Sequence, residues 1–374
     1  MVKKFKYLLL YCISIVLRNF FKVEEGLLLF GARGGRGFED NTKYLYFYAR
    51  RHGNYNVVWI SKDKTIVKEL KDKGLPAEYY FSKNAFVYSM KAHAIFITHS
   101  LSDVMPVIYN KKTKVVNLHH GIPMKKIEFL DKNIKLLGKI NNYYKSKRTN
   151  IFISNNVYFN NIYSKCFNLK PDKIKTIGYP RMEFLLDSSK FGIEIKSPFP
   201  QESIYKKDNK VFLFAPTFRD YETENIFNES QLDNINQILK KKSSKLYIKL
   251  HPFDKRKINT DAYENIYLFS SGTNIQEVLP FVDVLITDYS SVVFDFLPLK
   301  KPVILYCNDL KKYSENRGFI IEFEHLFKEH IVKSMDGFLG ALKNSDDFIV
   351  DSELEKVIVN SELKQASLKI LKQI

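Results

Sequence analysis

Short apolar runs alternate with helix-length stretches along nearly the whole chain, and the alternation happens twice. Gly26 to Phe30 (GLLLF), Val57 to Ile60 (VVWI), Ala94 to Thr98 (AIFIT), Val115 to Leu118 (VVNL) and Ile151 to Ser154 (IFIS) form the first set. Segments such as Asn41 to Arg51 and Asp63 to Lys73 separate them. Runs this short and this uniformly apolar suit strands of a parallel sheet covered on both faces. The stretch Asp187 to Asn209, with Ser188, Ser189, Pro198 and Pro200, has no clean period and reads as a linker. A second set follows: Val211 to Ala215, Leu246 to Leu250, Ile266 to Phe269, Val284 to Thr287 and Val303 to Tyr306, with helical stretches such as Asp233 to Lys242 and Ser291 to Pro298 between them. The expected fold is α/β: two Rossmann-like domains facing across a cleft, over 25–187 and 210–374, joined by a linker at 188–209. Ligands of such sheets bind beyond the carboxyl ends of the strands. A length of 374 residues fits two domains at roughly 150 residues each.

Charge narrows the partners. With 59 Lys+Arg against 41 Asp+Glu, the formal net charge is +18, so some partner is anionic: nucleic acid, a phospholipid surface or a phosphorylated substrate. Cys12, Cys166 and Cys307 lack metal-ligand spacing and are too scattered for a disulfide framework, which suits a reducing compartment. Tyr7 to Leu17 (YLLLYCISIVL) is an apolar run broken by Ser14, preceded by Lys3, Lys4 and Lys6 and followed by Arg18 and Lys22. As a helix it spans about 16 Å, roughly half a hydrocarbon core. Residues 1–24 therefore read as a membrane-associating segment lying in the interface, or as a helix that caps the domain. Met124 to Arg148 carries eight Lys or Arg against Glu128 and Asp131, with Ile127, Leu130, Ile134, Leu137 and Tyr144 at helical spacing. That pattern suits a second contact with an anionic membrane surface, or a solvated helix on the domain.

Six motifs fall near expected strand ends. Gly31-Ala-Arg-Gly-Gly-Arg-Gly37 matches neither a dinucleotide fingerprint nor a P-loop, but Arg33, Gly34 and Gly35 are candidate loop contacts to a phosphate. In His119-His120-Gly121-Ile122-Pro123, His119 reads as structural and His120 as a base able to take a proton from a hydroxyl. Ala215-Pro-Thr217-Phe-Arg219 offers a hydroxyl and a guanidinium suited to a phosphate. Lys249-Leu-His251-Pro252 supplies a second histidine. Thr287-Asp288-Tyr289-Ser290-Ser291 opens a helix and reads as an anion site, although one serine would serve as an N-cap. Arg317-Gly-Phe is the weakest signal.

Taken in order and spacing, His120-Gly-Ile-Pro, Ala215-Pro-Thr-Phe-Arg, Leu250-His-Pro, Thr287-Asp-Tyr-Ser-Ser and Arg317-Gly-Phe resemble the CDP-glycerol glycerophosphotransferases, the primases and polymerases of teichoic acid and related capsule backbones. Val284 to Phe323 is the closest stretch, and Glu39-Asp40-Asn41 extends the likeness to the first loop. The family usually has Thr where Ile122 stands and Trp where Phe218 stands. The resemblance implies a GT-B fold, peripheral binding at the cytoplasmic membrane face, and transfer of a polyol phosphate from a CDP-activated donor to a lipid-linked saccharide or polymer, with release of CMP. In that reading His120 is the general base and His251 stabilises or protonates the leaving phosphate. Thr217, Arg219, Ser290, Ser291 and Arg317 hold the diphosphate, and Asp288 orients the loop or reaches the donor. No metal or cofactor is expected. The alternatives are a GT-B glycosyltransferase using a sugar nucleotide, and a basic nucleic-acid-binding protein. The latter explains the charge but not the two strand-end histidines or the apolar start, and no stacking-aromatic motif is present.

Overall fold

The computed structural model describes residues 2–105, 107–131, 134–200, 209–219, 225–251, 253–270 and 272–374. The proline of the Leu250-His251-Pro252 motif and most of the expected linker's second half lie outside them.

The chain forms two compact units, 1–120 with 127–194 and 360–374, and 121–126 with 195–359. The division differs from the expected domains at two places. Residues 360–374 belong with the first unit, where the Ser367 amide donates to Glu183 Oε2 at 2.7 Å and Asn360 Nδ2 to the Asn155 carbonyl at 2.9 Å. Gly121 to Lys126 belongs with the second, where the Ile320 amide donates to the Met124 carbonyl at 2.9 Å and Lys125 bridges Phe319 in antiparallel register.

In the first unit seven parallel strands, β1 (Leu27–Phe30), β2 (Asn56–Ser61), β3 (Ala77–Tyr79), β4 (Ala94–Ile97), β5 (Lys114–Asn117), β6 (Ile151–Ser154) and β7 (Ile174–Thr176), lie in the order β3-β2-β1-β4-β5-β6-β7. In the second, β8 (Val211–Phe214), β9 (Lys245–Ile248), β10 (Ile266–Leu268), β11 (Val284–Thr287), β12 (Val303–Tyr306) and β13 (Ile331–Val332) lie in the order β10-β9-β8-β11-β12-β13. Both are doubly wound, with the order reversing between β1 and β4 and between β8 and β11. Such a reversal opens a crevice at the carboxyl ends of the two central strands. Those strands are buried at every position, as parallel strands covered by helices must be. Side chains fix the covering helices at their starts: Asp63 caps 64–72, Ser82 caps 83–91, and Asn228 with Gln231 forms a capping box on 229–241.

The first helix runs from Val2 to Leu17. Ser14, the apparent flaw in its apolar run, is buried and accepts the Ile108 amide at 2.8 Å, while Leu10 and Phe21 pack against the first core. Its outer face stays open, with Ile15 46% and Val16 64% exposed, and Phe20, just beyond the helix, is 79% exposed. The basic stretch is not one helix. A 3-10 turn spans Glu128–Leu130 and the helix begins at Leu136, ending at Arg148. Its exposed apolar residues among those described include Leu136, Ile140, Tyr143 and Tyr144, of which only Tyr144 belongs to the set the spacing suggested. No helix among the described residues is long and apolar enough to cross a membrane.

Candidate functional site

The switch point of the first sheet is organised around one carboxylate. Asp103, fully buried, accepts the amides of Thr98, His99 and Gly34 at 2.8, 2.7 and 2.7 Å. It thereby ties the loop after β1 to the loop after β4. A Cβ at Gly31 would collide with the Asp103 carbonyl, so the approach of the two loops requires glycine there. Gly34 and Gly35 lie at φ +65° and +80°, in the left-handed region. The loop's amides are turned inward: Gly31 to the Phe96 carbonyl, Gly34 to Asp103, Gly35 to Ala32 and Arg36 to Arg33. Lys62 Nζ donates to the carbonyls of Gly34 and Ser102. The loop thus makes a tied turn, and the amides of Gly31, Gly34 and Gly35 are already used. Arg33 is exposed and pairs with Glu39 at 3.4 Å.

His120 sits two residues beyond Leu118, which continues β5. The left-handed turn at His119 (φ +53°) is held by its amide on Asn117 Oδ1 at 2.8 Å. Asn41 Nδ2 donates to the Leu118 and His119 carbonyls, and Arg181 donates to the His120 carbonyl at 2.7 Å and to Asp40 Oδ1 at 2.8 Å. His119 is buried against Phe152, Tyr163 and Phe167, as a structural histidine. The His120 ring stacks on His99 at 4.0 Å, nearly parallel. Its Nδ1 stands 3.5 Å from the Thr98 carbonyl, an acceptor only, which favours the proton on Nδ1 and leaves a lone pair on Nε2. Burial of the ring, then the neighbouring His99, pushes its pKa down to about 4. By surface area the residue is exposed, so the direction alone carries the argument: the imidazole is neutral at pH 7 and competent as a base.

In the second unit the central feature is Arg219, 3% exposed. Its Nε and Nη2 grip Asp309 at 2.8 and 3.1 Å, Nη2 reaches Asp288 at 2.9 Å, and Nη1 donates to the Thr217 carbonyl at 2.6 Å. The guanidinium also lies 5.0 Å from the Tyr289 ring and 5.1 Å from Tyr313. Burial opposes its charge, but Asp288 and Asp309 outweigh that and hold its pKa above the ordinary value. Asp288 Oδ1 accepts the Thr217 and Tyr289 amides at 2.8 and 2.5 Å. Arg219, read from sequence as a donor contact, and Asp288, read as orienting its loop or reaching the donor, brace the loop after β8 against the loops after β11 and β12. Arg256, held by Asp254, adds a second guanidinium to the Thr217 carbonyl at 2.8 Å. Among the described residues this bracing leaves Thr217 Oγ1 without a partner.

Ser290 and Ser291 are half-buried at the end of β11. Ser291 occupies the N-cap without a side-chain capping bond, so its hydroxyl is not consumed by the helix. The helix that follows, Val292–Phe296, is five residues long and passes into a 3-10 turn, shorter than the sequence suggested. The anion-binding capacity rests on the hydroxyls more than on a long helix dipole. His251 is exposed, stacks on Phe218 at 4.9 Å, and accepts the Phe253 amide on Nδ1 at 3.2 Å, which in the neutral ring places the proton on Nε2. Arg317 ends helix Leu310–Asn316 and is half-buried. Among the described residues no group of three His, Cys, Asp or Glu is placed to hold a metal ion.

Sequence reasoning missed His99, Asp103, Arg181, Asp309 and Arg256. Each lacks a motif of its own, and each acts on a loop remote in sequence.

The fold has known counterparts. A solved structure of the wall teichoic acid polymerase TagF matches with a TM-score of 0.76 and 25% identity, over 100% of this chain and 97% of that one. A teichoic acid glycerol-phosphate transferase of Staphylococcus aureus (strain NCTC 8325 / PS 47) is 29% identical, over 86% of this chain and 85% of its own length. A teichoic acid poly(glycerol phosphate) polymerase of Bacillus spizizenii (strain ATCC 23059 / NRRL B-14472 / W23) is 27% identical, over 94% and 92%. The UDP-GlcNAc 2-epimerase of Neisseria meningitidis shares the fold alone, with a TM-score of 0.55 and 11% identity over 92% and 98%. With the sequence model of CDP-glycerol:poly(glycerophosphate) glycerophosphotransferases matching residues 12–362, this chain belongs to that family of transferases.

Proposed function

We propose that the chain transfers glycerol phosphate from CDP-glycerol to a hydroxyl of a lipid-linked or growing teichoic acid-type polymer. The acceptor oxygen forms a bond to the β-phosphorus while the bond from that phosphorus to the bridging oxygen breaks. CMP leaves with the electron pair, and the acceptor proton passes to His120 Nε2. A neutral base on a rigid strand-end turn is the single observation that carries the reading, because a glycerol hydroxyl needs a proton acceptor as it attacks.

The second unit holds the donor. Thr217 Oγ1, Ser290 and Ser291 present hydroxyls to the diphosphate, Arg317 adds charge, and His251 Nε2–H donates to the departing phosphate. Arg219, Asp288 and Asp309 act as positioning residues by holding Thr217 in place. The exposed apolar residues of helices 2–17 and 136–148, flanked by Arg18, Lys22, Lys135, Lys139 and Lys147, seat the chain on an anionic membrane face, where the polymer is anchored. The test is turnover: full-length protein with CDP-glycerol and a glycerol phosphate-terminated acceptor should release CMP, and His120→Gln should lower the rate at least roughly 100-fold. Wild-type turnover by the folded variant would remove His120 from the reaction.

A further inference from the structure

Beside the proposed base, the first unit contains a cavity of about 170 Å³. His99, Ser100 and Ser102 line it from the loop after β4, and Asn141, Lys145 and Arg148 line it from helix 136–148. At about 30 Å³ per water, it has room for five or six waters, or for one small polar group of similar bulk. Ser100 and Ser102 hydroxyls lie 2.7 Å apart. Lys145 is matched by Glu128 at 3.3 Å, whereas Arg148 has no acidic partner among the described residues. The Arg148 guanidinium lies 5.3 Å from the Tyr144 ring, a contact that orients its planar fork. Ile97, Leu101, Val115 and Tyr144 form the apolar part of the wall, and against it the cavity sets one guanidinium without an acidic partner among the described residues, beside hydroxyl and amide groups, a donor set for a phosphate carrying a polyol. His99 belongs both to this wall and to the stack on His120, so an occupant lies one ring away from the base.

We infer that this cavity binds the phosphate of the acceptor's terminal glycerol phosphate unit and so selects acceptors that already carry one. The inference rests on the glycerophosphate-transfer reading but is separable from it. Full-length wild type, Arg148→Gln, Arg148→Lys and Asn141→Ala would be titrated with sn-glycerol 3-phosphate by calorimetry. They would also be assayed in vesicle-free buffer with CDP-glycerol and two soluble acceptors, an octyl glucoside ending in glycerol phosphate and the same glucoside without phosphate. Wild type should favour the phosphorylated acceptor in kcat/KM by roughly ten-fold or more, as loss of one charge-assisted contact predicts. Arg148→Gln should abolish that preference through KM and weaken glycerol 3-phosphate binding, and Arg148→Lys should recover part of both. An unchanged preference in Arg148→Gln overturns the assignment, as does a variant whose only defect is weaker binding to vesicles of anionic lipid. If wild type fails to use CDP-glycerol at all, the transfer reading falls, and the glycerol 3-phosphate titration still decides the cavity.

Discussion

Replacing Arg219 by alanine should destabilise the second unit before it does anything else. The guanidinium is buried, makes four hydrogen bonds to Asp309, Asp288 and the Thr217 carbonyl, and lies beside two tyrosine rings. Removing it leaves Asp288 and Asp309 facing each other's loop without their shared cation. Breaking a buried pair by deleting one partner costs about 3–5 kcal/mol. For a unit of this size, about 2–4 °C per kcal/mol converts that loss to a Tm lowered by roughly 6–20 °C. Thermal unfolding followed by tryptophan-independent circular dichroism would read the shift, with CDP-glycerol calorimetry on the same samples. Arg219→Lys should fall between, keeping the charge but losing the fork on Asp309. Donor affinity should fall in step with stability, because Thr217 loses its brace. A Tm within about 2 °C of wild type, together with a large loss of donor affinity, would refute this reasoning and make Arg219 a direct phosphate contact.

Activity should depend on pH through His120. With its pKa held below the ordinary histidine value, the acid limb of kcat/KM should fall below pH 6.5, and a limb centred at 6.5 or above would contradict the neutral imidazole stacked on His99. The same depression means the unfolded chain binds the extra proton, so this histidine's contribution to stability is complete above about pH 6.5 and declines as the pH falls below it. Chemical denaturation across that window should show His120→Gln to be less acid-sensitive than wild type. Arg181→Met should lower kcat by roughly ten-fold or more with little change in donor affinity, because Arg181 fixes the His120 carbonyl and pairs with Asp40; an unchanged kcat would free His120 from that support. Leu136→Asp with Ile140→Asp should reduce sedimentation with anionic vesicles and leave Tm unchanged, since both residues are exposed; undiminished binding would move the membrane contact elsewhere.

The core strands were legible because uniformly apolar runs of four residues have few other uses in a chain of this composition. The strands that escaped notice, β3, β7 and β13, are two or three residues long, and β3 and β7 carry Glu78 and Lys175 on half-exposed positions, so no apolar run marks them. The histidines and hydroxyls of the candidate site could be picked out for a similar reason: they follow those strands directly. Their supports were not. Asp103 has meaning only through amides on two loops, and Asp309 only through Arg219. Arg219 shows the limit most plainly. Its residue type and strand-end position suggested a phosphate ligand, yet two carboxylates from later in the chain claim the same donors. The basic stretch shows another: hydrophobic spacing ran through residues 127–137 as if helical, but the chain there turns before the helix begins at Leu136.

The most direct measurement of the central claim follows both halves of the donor. Wild-type protein would be incubated with CDP-glycerol labelled in the glycerol, and with UDP-glucose and UDP-N-acetylglucosamine in parallel, each with the glycerol phosphate-terminated acceptor. The account predicts one CMP released for each labelled glycerol phosphate joined to the acceptor, and no turnover of either uridine nucleotide. Release of UDP with sugar transfer, and none of CMP from CDP-glycerol, would contradict it and leave only the fold standing.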